Sequence, residues 1–373
     1  MDGENFSIYV HIPFCVKKCN YCAFNSKTFS ADEVENYIDA LTQEIFLSDS
    51  EKISTIYFGG GTPSTLKLAQ LEKIFTALEK NFTFDTSAEI TVEINPGTVT
   101  ENFLRGLKEI GFNRLSIGVQ SFNDKLLKIL GRIHDSKTAL ETVATAKKFF
   151  ANISIDLMYG LPNQTLKNLR EDLKIIPALD IQHISIYGLE IEEGTKFFAE
   201  KVFLNLPRDE VCSEMYDLIT EKIPALGFSR YEVSNFAKKN FESRHNIGYW
   251  TGRNYFGFGA GAHSYKKNLR TSNISDVATY IKKVRAGEKF FELEEVVTVK
   301  AAMEEFCFLG LRMTEGISTK IFQAKFGKSI FDIYGKVLEK YFKLDLLKLD
   351  GDKIFFTPRG FKVSNAILSD FLL

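Results

Sequence analysis

SIYVHIPFCVKKCNYC, residues 7–22, runs from a β-rich apolar stretch directly into a loop that carries three thiols, Cys15, Cys19 and Cys22. Parallel α/β folds bind ligands beyond the carboxyl ends of their strands, so a loop in this position belongs to the active edge of such a sheet. Thiolates spaced Cys-x3-Cys-x2-Cys on one flexible loop can hold three corners of a [4Fe-4S] cubane and leave the fourth iron open to a small molecule. The spacing alone leaves two alternatives: a zinc site completed by one of the five histidines, or three free thiols. Structural zinc more usually takes two separated ligand pairs. Five cysteines are an odd and small number for this length, which speaks for metal or redox chemistry in a reducing compartment and against a disulfide framework. Cys212 and Cys307 stand alone and read as packing residues.

Outward from this stretch, β-rich runs recur at residues 7–13, 53–60, 88–96, 114–120, 153–160 and 183–191, separated by helical patterns. Near-continuous apolar strands alternating with helices predict parallel strands covered by crossover helices, as a barrel-like wheel or an open doubly wound sheet. After about residue 200 the pattern changes. A helix near 208–225 leads into the Gly- and aromatic-rich stretch SRHNIGYWTGRNYFGFGAGAHSY (243–265), then a mainly helical tail from about 275. In LLKLDGDKIFFTPRGF (346–361), Asp350 and Gly351 are expected to form a tight hairpin turn and Pro358 to open a last helix, a pattern like a small winged-helix domain. The expected division is therefore residues 1–200, an accessory region over 201–290, and a C-terminal unit over 291–373.

A chain of 373 residues with 45% hydrophobic and 13% aromatic content can bury a large core. Its 47 Lys and Arg nearly balance 48 Asp and Glu, so no overall field draws it to nucleic acid, and no nucleic-acid partner is expected. The N-terminus lacks a basic stretch followed by a long apolar run, and no apolar stretch approaches the roughly 20 residues that span a bilayer, so a cytoplasmic protein is expected.

Cys15, Cys19 and Cys22 resemble the cluster motif of radical S-adenosylmethionine (SAM) enzymes, in which SAM's amino and carboxylate groups occupy the open iron. The resemblance implies a partial (β/α)6 barrel, a [4Fe-4S] cluster and SAM. Tyr21, just before the third cysteine, matches the family's aromatic position near the adenine. GGGTPS (59–64) gives Gly60, Gly61 and Thr62, whose backbone is expected to approach SAM without Cβ clashes. By the same resemblance Tyr9, Glu93 of VEINPG, Gln120 of GVQSF, Arg132 of LGRIH and Asp156 of IDLMYGLP are assigned to the SAM pocket. Each of these residues alone reads equally as a structural polar group; their order along the chain gives them weight together.

HIPFCVKKCNYCAF, GGGTP, GVQSF, DLMYGLP and HNIGYW together resemble the branch that holds oxygen-independent coproporphyrinogen III dehydrogenases and the heme chaperones related to them. The dehydrogenase pattern carries a further cysteine two residues after the third, where this chain has Phe24. That departure, with HNIGYW (245–250), points to a heme chaperone without the dehydrogenase's oxidative decarboxylation. The implied partners are heme, apo-hemoproteins such as respiratory enzymes, membrane-associated ones included, an electron donor, and a second copy of the chain. The dehydrogenase itself is the alternative, and a simple iron-sulfur electron carrier leaves the SAM-like motifs unexplained. Residues 229–270 hold eight Lys or Arg against two Glu, an excess suited to propionate carboxylates. His245 and Trp250 are the residues expected to touch heme, with His263 a second imidazole and Tyr249, Tyr255 and Phe258 flat apolar surface. His11 and His134, beside the cluster and SAM motifs, are expected to be local hydrogen-bonding groups.

Overall fold

A computed structural model describes residues 5–372. Six strands, β1 (Phe6–Ile12), β2 (Lys52–Gly60), β3 (Thr83–Ile94), β4 (Arg114–Gln120), β5 (Ile153–Tyr159) and β6 (His183–Gly188), pair in parallel in sequence order. Helices fill every crossover between them, and Ser30, Thr100, Asp135 and Thr165 cap four of these by accepting a backbone N–H in the first turn. Such an unclosed wheel of six β/α units is the partial barrel form rather than an open doubly wound sheet.

The strands alternate in a way that decides what the barrel contains. Ile8, Val10, Ile56, Phe58, Val92, Leu115, Ile117, Ile153 and Ile155 are fully buried in the main core. Their neighbours on the opposite face are polar. The register places Ser7 beside Thr55, Thr55 beside Glu89, Thr91 beside Arg114, Glu93 beside Ser116, Gly118 beside Asp156 and Ser154 beside His183. Side chains two apart on a strand share a face, so these residues line one polar inner surface. The strands are thus amphipathic, where a near-continuous apolar run was expected. A buried surface of this kind is stable only when its groups are partnered or meet a ligand.

The Gly- and aromatic-rich stretch extends the sheet. β7 (Ser229–Arg230) and β8 (Asn235–Ala237) add to the β6 edge, with β8 antiparallel to β6. β9 (Tyr255–Phe258) pairs in parallel with β1, and β10 (His263–Lys266), β11 (Leu269–Asn273) and β12 (Phe291–Val296) continue outward in antiparallel fashion. The region expected to be mainly helical from about 275 therefore begins with one helix, Val277–Ala286, and returns to the sheet as β12. The Ala31–Phe46 helix holds this extension to the barrel. Its buried Glu44 accepts from the Gly259 N–H (2.8 Å), Asn273 Nδ2 (2.6 Å) and the Tyr280 hydroxyl. Its Tyr37 hydroxyl donates to the His11 carbonyl at 2.8 Å and accepts from the Ala260 N–H.

Beyond β12 a second core gathers residues from Met303 to Phe371. The helices Val299–Gly310, Thr319–Phe326 and Ile330–Lys343 pack on a sheet of β13 (Ile317–Ser318), β14 (Leu347–Asp350) and β15 (Lys353–Phe356), a winged-helix-like arrangement. Pro358 opens the Pro358–Lys362 helix as expected. The hairpin turn falls one residue later than expected: Asp350 still pairs with Lys353, and Gly351, at φ 58°, turns the chain with Asp352. Cys307 is fully buried in this core, whereas Cys212 is only half-buried. Among the described residues no helix is long and apolar enough to cross a membrane.

Removing Glu44 strands three buried donors, each costing about 1–3 kcal/mol when left unpaired. Glu44→Ala is expected to lower the stability of the apoprotein by about 3 kcal/mol or more, read as a lower denaturant midpoint, whereas Glu44→Gln should lose less than half as much.

Candidate functional site

The loop after β1 is fixed at its base and in its middle. Cys15 N–H donates to the Lys27 carbonyl and Lys27 N–H to the Pro13 carbonyl, both at 2.9 Å. Asn20 donates from its backbone to the Leu130 carbonyl at 2.9 Å and from Nδ2 to the Ile129 carbonyl at 2.8 Å, while its own carbonyl accepts from Phe197 N–H. These bonds set the cysteine loop against the turn that carries Arg132. Arg132 donates to the Gly118 carbonyl (2.6 Å), to Asn95 Oδ1 and to Cys19 Sγ (3.5 Å). Asn95 Nδ2 donates to Thr62 Oγ1 at 2.8 Å, and Thr62 Oγ1 lies 3.5 Å from Cys15 Sγ. One chain of contacts thus joins the ends of β1, β2, β3 and β4.

The glycine turn lies directly under the loop. Gly60 has φ 113°, and a Cβ there would meet the His11 ring at 2.6 Å. A Cβ on Gly61 would fall 2.7 Å from the Phe14 carbonyl oxygen and 3.0 Å from Cys15 Sγ. Only glycine lets these backbones come this close.

A cavity of about 240 Å³ opens here, lined by Cys15, Cys19 and Cys22 together with Tyr21, Gly60, Gly61, Thr62, Glu93, Gln120, Arg132 and Asp156. Of the residues assigned to SAM from the sequence, only Tyr9 lies outside it. Tyr9 stacks on Tyr57, a lining residue, with ring centroids 6.2 Å apart. Asn95, Tyr57, Ser116 and Tyr187 also line the cavity and were missed. Asn95 stands two residues after Glu93 on the same strand edge, so period-two alternation was the signal that could have found it. The others needed the inner face of the strands to be recognised as polar. His11 and His134 hydrogen-bond locally, His11 to Tyr9 and to the Asn25 carbonyl, His134 to the Val119 carbonyl.

Two carboxyls face the cavity. Their tips reach its space, while the surrounding protein strips away most of their hydration. Burial pushes Glu93 up to about 7 against the opposing hydrogen bond from the Tyr57 hydroxyl (2.6 Å), and the nearby Asp156 carboxylate raises it further. Burial likewise raises Asp156 to about 6, opposed by the Ser116 hydroxyl at 3.1 Å. Gln120, at φ 68°, occupies the left-handed region that non-glycine residues seldom adopt, and its Oε1 accepts from the Tyr187 hydroxyl at 2.9 Å. Burial lifts the thiols of Cys15 and Cys22 above the ordinary thiol range. Cationic iron would reverse that penalty, since a coordinating thiol is deprotonated outright. Among the described residues no three His, Cys, Asp or Glu side chains are gathered closely enough to share a single metal ion. A cubane asks for a different arrangement, three thiolates spread over three irons on one loop, and the donor set along this cavity fits that chemistry.

His245 and Trp250 part company. HNIGYW forms most of a short helix, Arg244–Trp250, whose first N–H groups, of Arg244 and His245, each donate to the Glu89 carboxylate at 3.0 Å. The His245 ring is buried inside the barrel, stacked on Tyr57 at 5.1 Å. Thr55 donates to Ser7, so the imidazole donates from Nδ1 to Thr55 (2.9 Å) and accepts at Nε2 from the Tyr249 hydroxyl (3.0 Å). Burial lowers its pKa to about 3, so it is neutral. With both nitrogens engaged, His245 offers no lone pair to iron in this conformation, contrary to the expectation drawn from its aromatic surroundings. Trp250, at the other end of the helix, lines a second cavity of about 430 Å³ between the extended sheet and the C-terminal unit. Tyr249, Tyr255, Tyr265, Arg253 and Arg270 line it from one side, and Phe306, Leu309, Met313, Lys325 and Lys353 from the other. His263 is exposed on a shallower pocket beside Tyr9 and Phe24.

A partial barrel with three thiols on its first loop and paired carboxyls at the same edge defines a radical SAM protein, and residues 9–176 match the radical SAM superfamily. Residues 297–363 match the HemN C-terminal domain. The chain is 39% identical to the heme chaperone HemW of Bacillus subtilis, over 98% of this chain and 99% of that one. It is 37% identical to HemW of Lactococcus lactis, over 98% and 97%. The chain belongs to the HemW family of the radical SAM superfamily. The structure of coproporphyrinogen III oxidase (HemN) from Escherichia coli shares the fold with a TM-score of 0.88 at 24% identity, over 99% of this chain and 90% of that one.

The value of about 7 at Glu93 has a measurable consequence. Because it lies above the unfolded value, the neutral carboxyl stabilises the ligand-free fold at low pH, and that contribution is lost as pH rises through about 7. A cationic sulfonium favours the ionised form, so SAM binding should release a proton near neutral pH and tighten between about pH 6 and 8. Calorimetry in buffers of different ionisation heat checks this. Glu93→Gln should cut the proton release to the smaller share left by Asp156 and weaken binding about tenfold or more, the effect of about 1.4 kcal/mol.

Proposed function

We propose that this protein is a heme chaperone that holds a [4Fe-4S] cluster on Cys15, Cys19 and Cys22, binds SAM beside it, carries heme in the cavity at Trp250 and delivers it to apo-hemoproteins. The observation that carries the reading is the pair of separate cavities. One has thiols, carboxyls and a guanidinium at the barrel's loop edge; the other is aromatic and cationic, between the sheet extension and the C-terminal unit. The full-length similarity to heme chaperones supports it. Held there, the cluster and SAM would supply one-electron chemistry. The chain's own residues do the rest. Arg132 orients the cysteine loop through Cys19 and Asn95, Gly60 and Gly61 admit backbone contact, and Glu93 and Asp156 meet the polar groups of a cationic ligand.

In the second cavity, rings of Trp250, Tyr255 and Phe306 offer flat apolar surface, while Arg253, Lys325 and Lys353 suit propionates. Arg270 is engaged by Glu305 at 2.8 Å. The likeness to HemN in fold favours the dehydrogenase as the second reading. Phe24, 69% exposed at the mouth of the cluster cavity, supplies no thiol where the dehydrogenase pattern has one.

Replacing Cys15, Cys19 or Cys22 by serine should abolish the brown chromophore of the anaerobically reconstituted protein; stoichiometric zinc without iron in the unmodified protein would contradict the cluster. Given heme and coproporphyrinogen III side by side, the protein should bind heme and leave the porphyrinogen unchanged. Trp250→Ala should lower heme occupancy severalfold with iron and sulfide content intact, as loss of an aromatic contact of about 1 kcal/mol or more requires. Protoporphyrinogen IX formed in proportion to SAM consumed would overturn the assignment.

A further inference from the structure

His245, one of the two residues expected to touch heme, lines neither cavity, yet it meets a lining residue of each, Tyr57 on one side and Tyr249 on the other. The Tyr57 hydroxyl donates to Glu93, a lining residue of the cluster cavity, at 2.6 Å. The Tyr57 ring stacks on His245, and His245 Nε2 accepts from Tyr249, which lines the interdomain cavity next to Trp250. The helix is held to β3 as well, because its first N–H groups bind Glu89, four residues before Glu93 on the same inner face. His245 is 1% exposed and stacked on Tyr57, so a movement of the Tyr57 ring toward the helix bears directly on the imidazole.

We infer that the His245 helix couples the two cavities, with Tyr57 and His245 as positioning residues: a cationic ligand that engages Glu93 competes with the Tyr57 hydroxyl, shifts the ring stacked on His245, and loosens the grip of the Trp250 cavity on its own ligand. The inference rests on the proposed function for the identity of the two ligands, SAM and heme. Its two states differ in the partner of Glu93, Tyr57 in one and the ligand in the other. By linkage, SAM weakens heme binding and heme weakens SAM binding by the same factor.

Trp250 is the only tryptophan in the chain, so its emission reports the far end of the helix directly. In anaerobically reconstituted protein, SAM at calorimetrically verified saturation should shift Trp250 emission with no heme present, and should raise the heme dissociation constant at least about fivefold. His245→Gln keeps a group that can bond Thr55 but removes the ring against Tyr57. It should bind SAM with near wild-type affinity and lose both responses. A purely structural role for His245 would lower stability without moving either one. If SAM shifts Trp250 while heme fails to bind, the coupling stands and the heme reading falls. If heme binds, yet Trp250 emission and heme affinity in the wild-type protein ignore saturating SAM, the coupling is overturned and the heme reading stands.

Discussion

Charge and polarity buried inside the barrel need partners, and the arrangement of the whole molecule follows from meeting that need. Glu89, Arg114, His183, Glu93 and Asp156 project from the same inner face on which a barrel of purely structural purpose would stack branched aliphatic residues. At the floor, the Arg244–Trp250 helix satisfies Glu89 with two backbone N–H groups and inserts His245 between Tyr57, Thr55 and Tyr249. At the loop edge no such plug exists. There Glu93 holds the Tyr57 hydroxyl and the Gly60 backbone, Asp156 holds the Ser116 hydroxyl, and burial keeps both well above the usual carboxylate range. Two carboxyls held above their usual range beside a cavity mark the rim as the place where a polar ligand is stabilised.

The loop edge is built so that four strand ends share one set of contacts. Arg132 reaches Cys19, Asn95 and Gly118, Asn95 reaches Thr62, and Thr62 reaches Cys15. The thiol loop is therefore held in place by groups that also border the carboxyl-lined space, and the two bare glycines beneath it keep room for that approach. Expected cluster and expected cosubstrate would be neighbours here because the same side chains position both.

Much of this was readable from the chain. Six β-rich runs in order, each followed by a helix and a short loop with a polar residue, carry the barrel, and the thiol spacing carries the loop. The amphipathic strands were misread as continuously apolar because Tyr57, Gly59, Gly118 and Thr55 count as apolar or neutral when composition is taken without alternation. With alternation, RLSIGVQ shows Arg114, Ser116, Gly118 and Gln120 on one side, and Asn95 follows from Glu93. Strands β9 to β12 were not legible for another reason: each of four to six residues gains its stability from a partner distant in sequence, such as Tyr255 beside Ser7. His245 shows the limit of local chemistry. An imidazole among aromatic residues suggests a ligand, yet its partners Thr55 and Tyr57 lie about 190 residues earlier. The C-terminal half of the second cavity, with Met313, Lys325 and Lys353, was likewise outside any motif.

The central claim is that the three-thiol loop holds a cluster with one iron left for a small molecule at the carboxyl-lined rim. Mössbauer spectroscopy of protein reconstituted anaerobically with isotopically enriched iron tests it most directly. The account predicts one [4Fe-4S] cluster per chain in which a single iron subsite changes its parameters when SAM is added, the other three staying as they were. Four subsites indifferent to SAM, or a chain that takes up no iron-sulfur cluster at all, would contradict it.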